Sequence, residues 1–283
     1  MDPGSRQDAK GAKRAKALTC SDLVAQCLQG QASGWKQFVW EYLPFAAAVL
    51  ERHFPPLSGR REELLREVLL RTRDEDNRFF RDYSGHSERE FLMHLREHAL
   101  GIGEEQQAPP PAPELALEWE VFDRALAGLS ALERQIVWMF VLSPSHDDTE
   151  QILRLDAKTA VAVLARAQEA LRTASDRWNT EMLAGNRHLL AQEARSRRAK
   201  DCPAQRIFLR TLDGQITWRD REELDHHLAG CWHCVDLFCR FREILFLSRG
   251  LQPLSEPESE AYLKMLGLEV RAGSRWRRLL GKR

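Results

Sequence analysis

The sequence predicts an all-α fold divided into separate helical bodies. Apolar residues recur three and four positions apart through nearly every ordered stretch, which is the spacing of one helix face. No stretch shows the sustained alternation of apolar and polar residues that is typical of a half-buried strand. A proline-rich stretch, GEEQQAPPPAP at 103–113, interrupts the helical pattern and indicates an extended linker between two bodies.

Four helices are predicted before this linker. Ser21 and Ser33 are predicted to cap the first two, the second of which ends before Pro44. A third helix is predicted at 61–73, with leucines and a valine as its apolar stripe. Ser87, with a glutamate three residues later, forms a capping box that begins the fourth.

The second block contains a short helix, a break and a longer helix. Asp148 is predicted to begin the short helix, which breaks at Arg154, and Asp156 is predicted to cap the longer one. This order is the helix-turn-helix pattern, in which the second helix lies in the DNA major groove. Two amphipathic helices with no DNA role fit the same pattern, so it needs further support.

Shifts in composition divide the chain into seven segments. They are a basic tail at 1–17, a first helical domain at 18–102, a proline-rich linker at 103–114, a second helical domain at 115–178, a basic linker at 179–200, a Cys/His domain at 201–250 and a basic tail at 251–283.

Overall charge and hydropathy favour a cytoplasmic protein. The 283 residues are 43% hydrophobic and 30% charged, with a formal net charge of zero. No apolar run approaches the roughly 18 residues that cross a bilayer, so no membrane contact is expected. The first residues lack the apolar core of a secretory signal. Both ends are rich in Lys and Arg, a feature of solvated tails and of segments that attract polyanions.

A cluster of cysteine and histidine residues near the C-terminal end predicts a metal site. On a helix, His227 and Cys231 are one turn apart, and Cys234 follows three residues later. With Cys202 they offer three thiolates and one imidazole, a set typical of one structural Zn²⁺. Such a closed set leaves no open position for a reactive water. Cys239 is expected to be a buried small residue instead. His226 and His233 are alternative candidates for the histidine ligand in place of His227.

The two helical blocks together resemble a known family. Residues 129–137 (LSALERQIV), 150–159 (EQILRLDAKT) and 164–172 (LARAQEALR) resemble region four of extracytoplasmic-function (ECF) sigma factors, the smallest members of the sigma-70 family. Residues 21–30 (SDLVAQCLQG) and 63–71 (ELLREVLLR) resemble their region two, as do 80–87 (FRDYSGHS) and 91–95 (FLMHL). The resemblance covers about residues 20 to 175.

The resemblance implies that the chain binds core bacterial RNA polymerase and promoter DNA. Polymerase contacts are then expected from Glu63, Leu64, Arg66 and Glu67. Contacts to the minus-ten promoter element are expected from Arg81, Tyr83, His86, Arg89 and His94. Contacts to the minus-thirty-five element are expected from Lys158, Thr159, Ala162 and Arg166. Val161, Ala162 and Val163 stand where the family usually has more basic and polar residues. They are therefore expected either to weaken the DNA contact or to face a partner such as the chain's own C-terminal module.

The Cys/His segment resembles the zinc-binding anti-sigma domain, including the Leu-Asp-Gly at 212–214. Fusion of such a domain to sigma-like domains implies intramolecular control, in which the zinc domain contacts and masks a polymerase- or DNA-binding face. A tether of this kind gives an effective concentration of about millimolar. Thiolate oxidation is one candidate signal, and a further regulatory protein is another. The alternative is a degenerate sigma-like interaction protein that sequesters a partner; no catalytic constellation favours an enzyme.

Overall fold

The computed structural model describes residues 19–74, 76–85, 87–107, 118–142, 148–174 and 180–268. Within these ranges the regular elements are all helical and no strand occurs, which confirms the predicted all-α class. No helix in the same ranges is both long enough and apolar enough to cross a membrane.

Six α-helices form the first bundle: α1 (Cys20–Leu28), α2 (Ala32–Gln37), α3 (Leu43–His53), α4 (Arg61–Thr72), α5 (Arg78–Arg81) and α6 (Glu88–Gln106). The predicted capping box at Ser87 is confirmed at the start of α6. Helix α1 is capped by Thr19 rather than Ser21, because the Thr19 hydroxyl accepts the hydrogen bond from the backbone N–H of Asp22. Phe80 and Phe91 are buried in the core of this bundle.

The second predicted helix does not stop before Pro44. A single π-helical turn, Phe38–Tyr42, connects α2 to α3, and Pro44 lies in the first turn of α3. Proline has no N–H, and its ring would collide with the carbonyl of Trp40 in a regular α-helix. The wider π turn lets the helical path continue past the proline, which keeps Phe38 and Tyr42 in the core.

Four helices form the second body: α7 (Trp119–Ala125), α8 (Ala131–Leu142), α9 (Thr149–Leu153) and α10 (Ala157–Ala174). Arg154 ends α9 in the left-handed conformation, with φ of 57°. The Asp156 carboxylate then accepts a hydrogen bond from the backbone N–H of Thr159 at 2.9 Å, as its predicted capping role requires. Helices α9 and α10 are therefore joined by a tight turn, in the order that the sequence predicts.

Six helices form the C-terminal module: α11 (Thr180–Gly185), α12 (Arg187–Ser196), α13 (Gln205–Leu212), α14 (Trp218–Leu228), α15 (Trp232–Arg249) and α16 (Glu256–Met265). Helices therefore occur inside both the predicted linker at 179–200 and the predicted tail at 251–283. Helix α12 buries Leu190 and Ala194, and α16 buries Tyr262 and Leu263. The tail at 1–17 lies outside the described residues, as do 108–117 of the proline-rich linker and 269–283.

Helix α15 is the central packing element of the molecule. It contacts α3 and α6 of the first bundle, α8 and α9 of the second body, and α12, α13 and α14 of its own module. Its buried face combines apolar side chains with two carboxylates, Asp236 and Glu243. The C-terminal module therefore packs against both preceding bodies mainly through α15, with further contacts from α12 and α14 to α8 and from α16 to α2 and the π-helical turn.

Candidate metal centre

Three helices bring the four predicted metal ligands together. Cys202 lies in the loop before α13, His227 in the last turn of α14, Cys231 at the N-cap of α15 and Cys234 in its first turn. One ligand atom from each side chain lies within 4.8 Å of all the others. The cluster Cys202, His227, Cys231 and Cys234 could therefore hold a metal ion, as the sequence predicts.

The distances within this cluster fit a tetrahedral metal site. The Sγ atoms of Cys202 and Cys231 are 3.8 Å apart. A tetrahedron with metal–sulfur bonds of about 2.3 Å would separate two sulfurs by roughly 3.8 Å. The buried Nε2 of His227 has no hydrogen-bond partner among the described residues, so it is free to coordinate. Its Nδ1 faces the Asp201 carboxylate at 3.8 Å, on the side where metal-bound histidines usually meet an orienting acceptor.

The thiols share hydrogen bonds that favour one thiolate. The hydrogen bond from Cys234 lowers the pKa of Cys231 to about 5. The same hydrogen bond and burial raise the pKa of Cys234. A metal must displace the remaining thiol protons to bind all three sulfurs, so affinity should rise with pH.

The competing histidines are placed away from the cluster. His226 is exposed, and the His233 ring lies against the backbone carbonyl of Arg195, with Nδ1 3.0 Å from its oxygen. Cys239 is fully buried, and its thiol faces the Gln135 carbonyl at 3.7 Å. The expectation of a buried, non-ligating Cys239 is therefore confirmed.

A buried ion cluster lies farther along α15. The Glu243 carboxylate accepts hydrogen bonds from Arg52 Nε at 2.9 Å and from Arg96 Nε at 2.7 Å, and His53 Nε2 lies 2.6 Å from it. The side chains of Arg96 and Glu243 are only 1% and 2% exposed. Arg52 also pairs with Asp148, at the start of α9. This cluster joins all three bodies, and the sequence analysis did not identify it.

Opposing charges set the ionisation of this cluster. Burial would raise the pKa of Glu243, but Arg96, His53 and Arg52 hold it well below its usual value. Burial lowers the pKa of His53, and the neighbouring Glu243 offsets this only in part. Both pKa shifts, that of Glu243 and that of His53, are consistent with a neutral His53 that donates a hydrogen bond to an ionised Glu243.

A second polar cluster fixes α15 on α8. The indole N–H of Trp138 donates to the Asp236 carboxylate at 3.1 Å. Arg240 pairs with the same carboxylate at 2.7 Å, and with Glu97 of α6 at 3.3 Å. Burial alone would raise the pKa of Glu97, but Arg96 and Arg240 hold it at about 2.

The residues predicted to contact the minus-ten element lie around the start of α6. Arg81 is exposed, whereas the Tyr83 hydroxyl donates to the Ser87 carbonyl at 3.0 Å. Arg89 pairs through both terminal nitrogens with Asp213, the residue that follows α13. The ring of His94 lies against Phe79, with Nε2 2.6 Å from its carbonyl oxygen. His86 lies outside the described residues.

The residues predicted to contact the minus-thirty-five element lie on α10. Lys158 and Ala162 are exposed, and Thr159 is half-buried with its hydroxyl bound to Asp156. Arg166 pairs with Glu133 of α8. Of the two valines, Val163 is buried in the second body and Val161 is 64% exposed. Val161 therefore does not face the C-terminal module.

The residues predicted to contact polymerase lie on α4. Glu63 pairs with Arg60, Arg66 with Glu62, and Glu67 with Arg71. Leu64 is different, because it is only 2% exposed. Its side chain supports the bundle and offers no surface to a partner, which corrects the expectation of a direct contact.

Comparison with protein-family models, with curated proteins and with solved structures finds no match to the chain. The functional interpretation therefore depends on the metal cluster, the order of α9, its turn and α10, and the contacts of α15.

Proposed function

We propose that this chain is a self-inhibited sigma-type transcription initiation factor. Its first bundle and second body bind core bacterial RNA polymerase and promoter DNA, and its C-terminal module holds them in a closed arrangement. The cytoplasm, where polymerase and promoters meet, is its proposed location. The observation that carries the proposal is α15, which packs on α3 and α6 on one side and on α8 and α9 on the other.

The chemistry of this contact favours a reversible closure. Breaking a buried ion pair by losing one partner costs about 3–5 kcal/mol, whereas exposure of both partners to water lets each be solvated. When α15 leaves as a unit, Arg52 and Arg96 become accessible to water together with Glu243. The Glu243 cluster thus stabilises the closed form together with buried apolar side chains of α15, such as Phe241 and Ile244, which release would also expose.

The pairing of Arg89 with Asp213 supports inhibition on the DNA side. A forked guanidinium matches a carboxylate and a phosphate in the same bidentate way. In the closed form, Asp213 therefore pairs with the Arg89 guanidinium, which would otherwise be available to bind a phosphate of the DNA backbone. Gln205 adds a second contact there, since its side-chain amide donates to Glu90 at 3.2 Å.

The outer charges of α4 pair mainly with groups of the first bundle itself. We therefore propose that the closed form retains affinity for polymerase and fails at DNA binding. Zn²⁺ is the proposed metal, because three sulfurs and one nitrogen suit it and do not suit Mg²⁺ or Ca²⁺. Bound Zn²⁺ would cross-link the start of α15 to α14 and to the loop before α13.

Transcription with purified core polymerase tests the proposal. The full chain is compared with the Asp213→Ala and Glu243→Gln variants on a pool of promoter fragments, and core binding is measured in parallel. We expect all three chains to bind core and the variants to give more promoter-dependent transcripts. A chain that binds no core, with or without these substitutions, would refute the proposal.

One observation favours a second function, the sequestering interaction protein. The exposed face of α10 presents Val161 and Ala162, and the cation of Arg166 is already paired with Glu133. Such a face suits a protein partner better than it suits phosphates. Core binding without transcripts from any variant would favour this alternative.

A further inference from the structure

The C-terminal module meets the second body at the start of α15. Trp232 is the first residue of this helix, and it is only 3% exposed. Its indole N–H donates to the Asp123 carboxylate of α7 at 2.8 Å. The centre of its ring lies 5.1 Å from the ring centre of Phe122, which is also in α7. A tryptophan of the module is therefore buried against α7 of the second body.

Helix α8 supplies two more contacts to Trp232. The ring centre of Trp138 lies 5.3 Å from that of Trp232, and the guanidinium carbon of Arg134 lies 4.6 Å from the same ring. Trp138 and Arg134 are themselves buried. An arginine over the face of an indole is a cation–π contact, which is stronger when both groups are removed from water. The second body thus surrounds Trp232 with aromatic rings, a cation and a hydrogen-bond acceptor.

A second indole crosses the same boundary in the opposite direction. Trp138 of α8 donates its N–H to the Asp236 carboxylate of α15 at 3.1 Å. Asp236 is one helical turn beyond Trp232, so the two side chains lie on the same side of α15. Each side of the boundary therefore supplies one indole donor and one carboxylate acceptor.

This reciprocal pairing gives the contact a defined register. A buried indole N–H needs an acceptor, because without one it loses the hydrogen bond that water would provide. Both hydrogen bonds form only when α15 lies at one position along the second body. Buried tryptophan and arginine side chains also dominate the binding energy of protein interfaces. The geometry and the residue types therefore both favour a specific docking contact.

We propose that the paired indoles, Trp232 and Trp138, hold the second body on the C-terminal module, with Trp232 as the principal anchor. The contact is separate from the Glu243 cluster, which holds α15 on the first bundle. This inference deepens the proposed self-inhibition and rests on it for its consequence. Loss of the Trp232 contact releases the second body, which carries α9 and α10.

Cys239 reports whether the second body is docked. It is fully buried, and its thiol faces the Gln135 carbonyl of α8 at 3.7 Å. Departure of α8 therefore exposes this thiol to a maleimide. Cys27 is buried inside the first bundle and becomes reactive only when that bundle unfolds. Labelling of the full chain, followed by mass spectrometry of its peptides, gives both rates in one sample.

Trp232→Ala tests the anchor. We expect Cys239 to be labelled at least about 30-fold faster than in the original chain, because truncation of a buried tryptophan at an interface has effects of this size. The labelling rate of Cys27 should not change. Trp218→Ala is the matched control, since Trp218 belongs to α14 of the same module and is 78% exposed. This control should be labelled at the rate of the original chain.

Two further variants separate the hydrogen bond from the ring. Asp123→Ala removes the acceptor at a half-exposed position of α7, so Cys239 labelling should become a few-fold faster. Trp232→Phe removes the donor and keeps an aromatic ring. In the Trp232→Phe chain, Asp123→Ala should have a much smaller effect, because the hydrogen bond that it breaks is already absent.

An unchanged labelling rate of Cys239 in Trp232→Ala would overturn the inference. An effect of Asp123→Ala as large in the Trp232→Phe chain as in the original chain would overturn it as well. Equal gains at Cys239 and Cys27 would show that Trp232→Ala unfolds the chain. Asp123→Ala then decides, and an unchanged Cys239 rate in that variant would overturn the inference. The labelling needs neither polymerase nor DNA, so its failure is distinguishable from failure of the proposed function.

Discussion

Replacing Glu243 by glutamine should weaken the docking of α15 on the first bundle. The carboxylate accepts from Arg52 at 2.9 Å and from Arg96 at 2.7 Å, and all three side chains are nearly inaccessible to water. Glutamine keeps the shape but loses the charge, and its NH₂ group faces cations. Loss of one partner from a buried ion pair costs about 3–5 kcal/mol.

The lower end of this range applies to Glu243→Gln, because other carboxylates remain near the two arginines. Arg52 still pairs with Asp148, and Arg96 still contacts Glu97 at 2.9 Å. A loss of about 3 kcal/mol shifts the equilibrium between docked and released α15 by roughly 10²-fold.

Limited proteolysis measures this shift, since released helices are cleaved faster than docked ones. Cleavage within α15 is compared for the original chain, Glu243→Gln and the control Glu260→Gln, whose side chain lies on an exposed part of α16. A double-mutant cycle with Arg96→Met isolates the pairwise energy. Cleavage rates that agree within twofold for all three chains would show that the Glu243 cluster does not hold α15.

Three further predictions concern the metal, the pH and the DNA side. Changing Cys231 and Cys234 to serine should remove the one zinc per chain measured by atomic emission, whereas Cys27→Ser should retain it; unchanged zinc in the double variant would exclude the site. Because the pKa of His53 is lowered in the folded chain, its contribution to stability is full above about pH 6.5 and is lost as pH falls through the folded pKa. His53→Asn should therefore flatten the fall in melting temperature below about pH 6.5, and an unchanged slope would refute the assignment. Asp213→Ala should free its partner Arg89 and increase affinity for single-stranded promoter DNA in low-salt anisotropy titrations. An exposed control on α14, Glu222→Ala, should leave this affinity unchanged. Equal affinities of Asp213→Ala and the original chain would show that Asp213 does not mask Arg89.

Local signals in the sequence predicted much of the fold. The Ser87 capping box and the Asp156 cap depend on residues three apart, and both occur as predicted. His227, Cys231 and Cys234 also come together, but not on one helix as their spacing predicted: α14 ends at Leu228, and Cys231 is the N-cap of α15. A Ser255–Glu258 capping box also precedes α16. Its serine and glutamate are also three residues apart. No helix was predicted there, because the basic composition of 251–283 indicated a solvated tail.

The long-range contacts could not be predicted in this way. Arg96 and Glu243 are 147 positions apart, and nothing near either residue indicates a buried partner. A charged residue on a helix is usually solvated, so burial of Glu243 follows only from where α15 packs. Arg134 is a similar case, because the LSALERQIV segment gives no sign that its guanidinium is buried over the Trp232 ring.

Helix α15 has a mechanical consequence, because one continuous helix carries the sulfur ligand Cys234 in its first turn and Glu243 farther along. Cys234 and Glu243 are nine positions apart, which is about 13.5 Å along a helix axis. If the cross-linked end acts as a pivot, a tilt of about 10° swings the far carboxylate by roughly 2.4 Å over that lever arm. Such a swing is nearly as long as the contacts it would break, so a small change at the sulfur end can open the distant ion cluster.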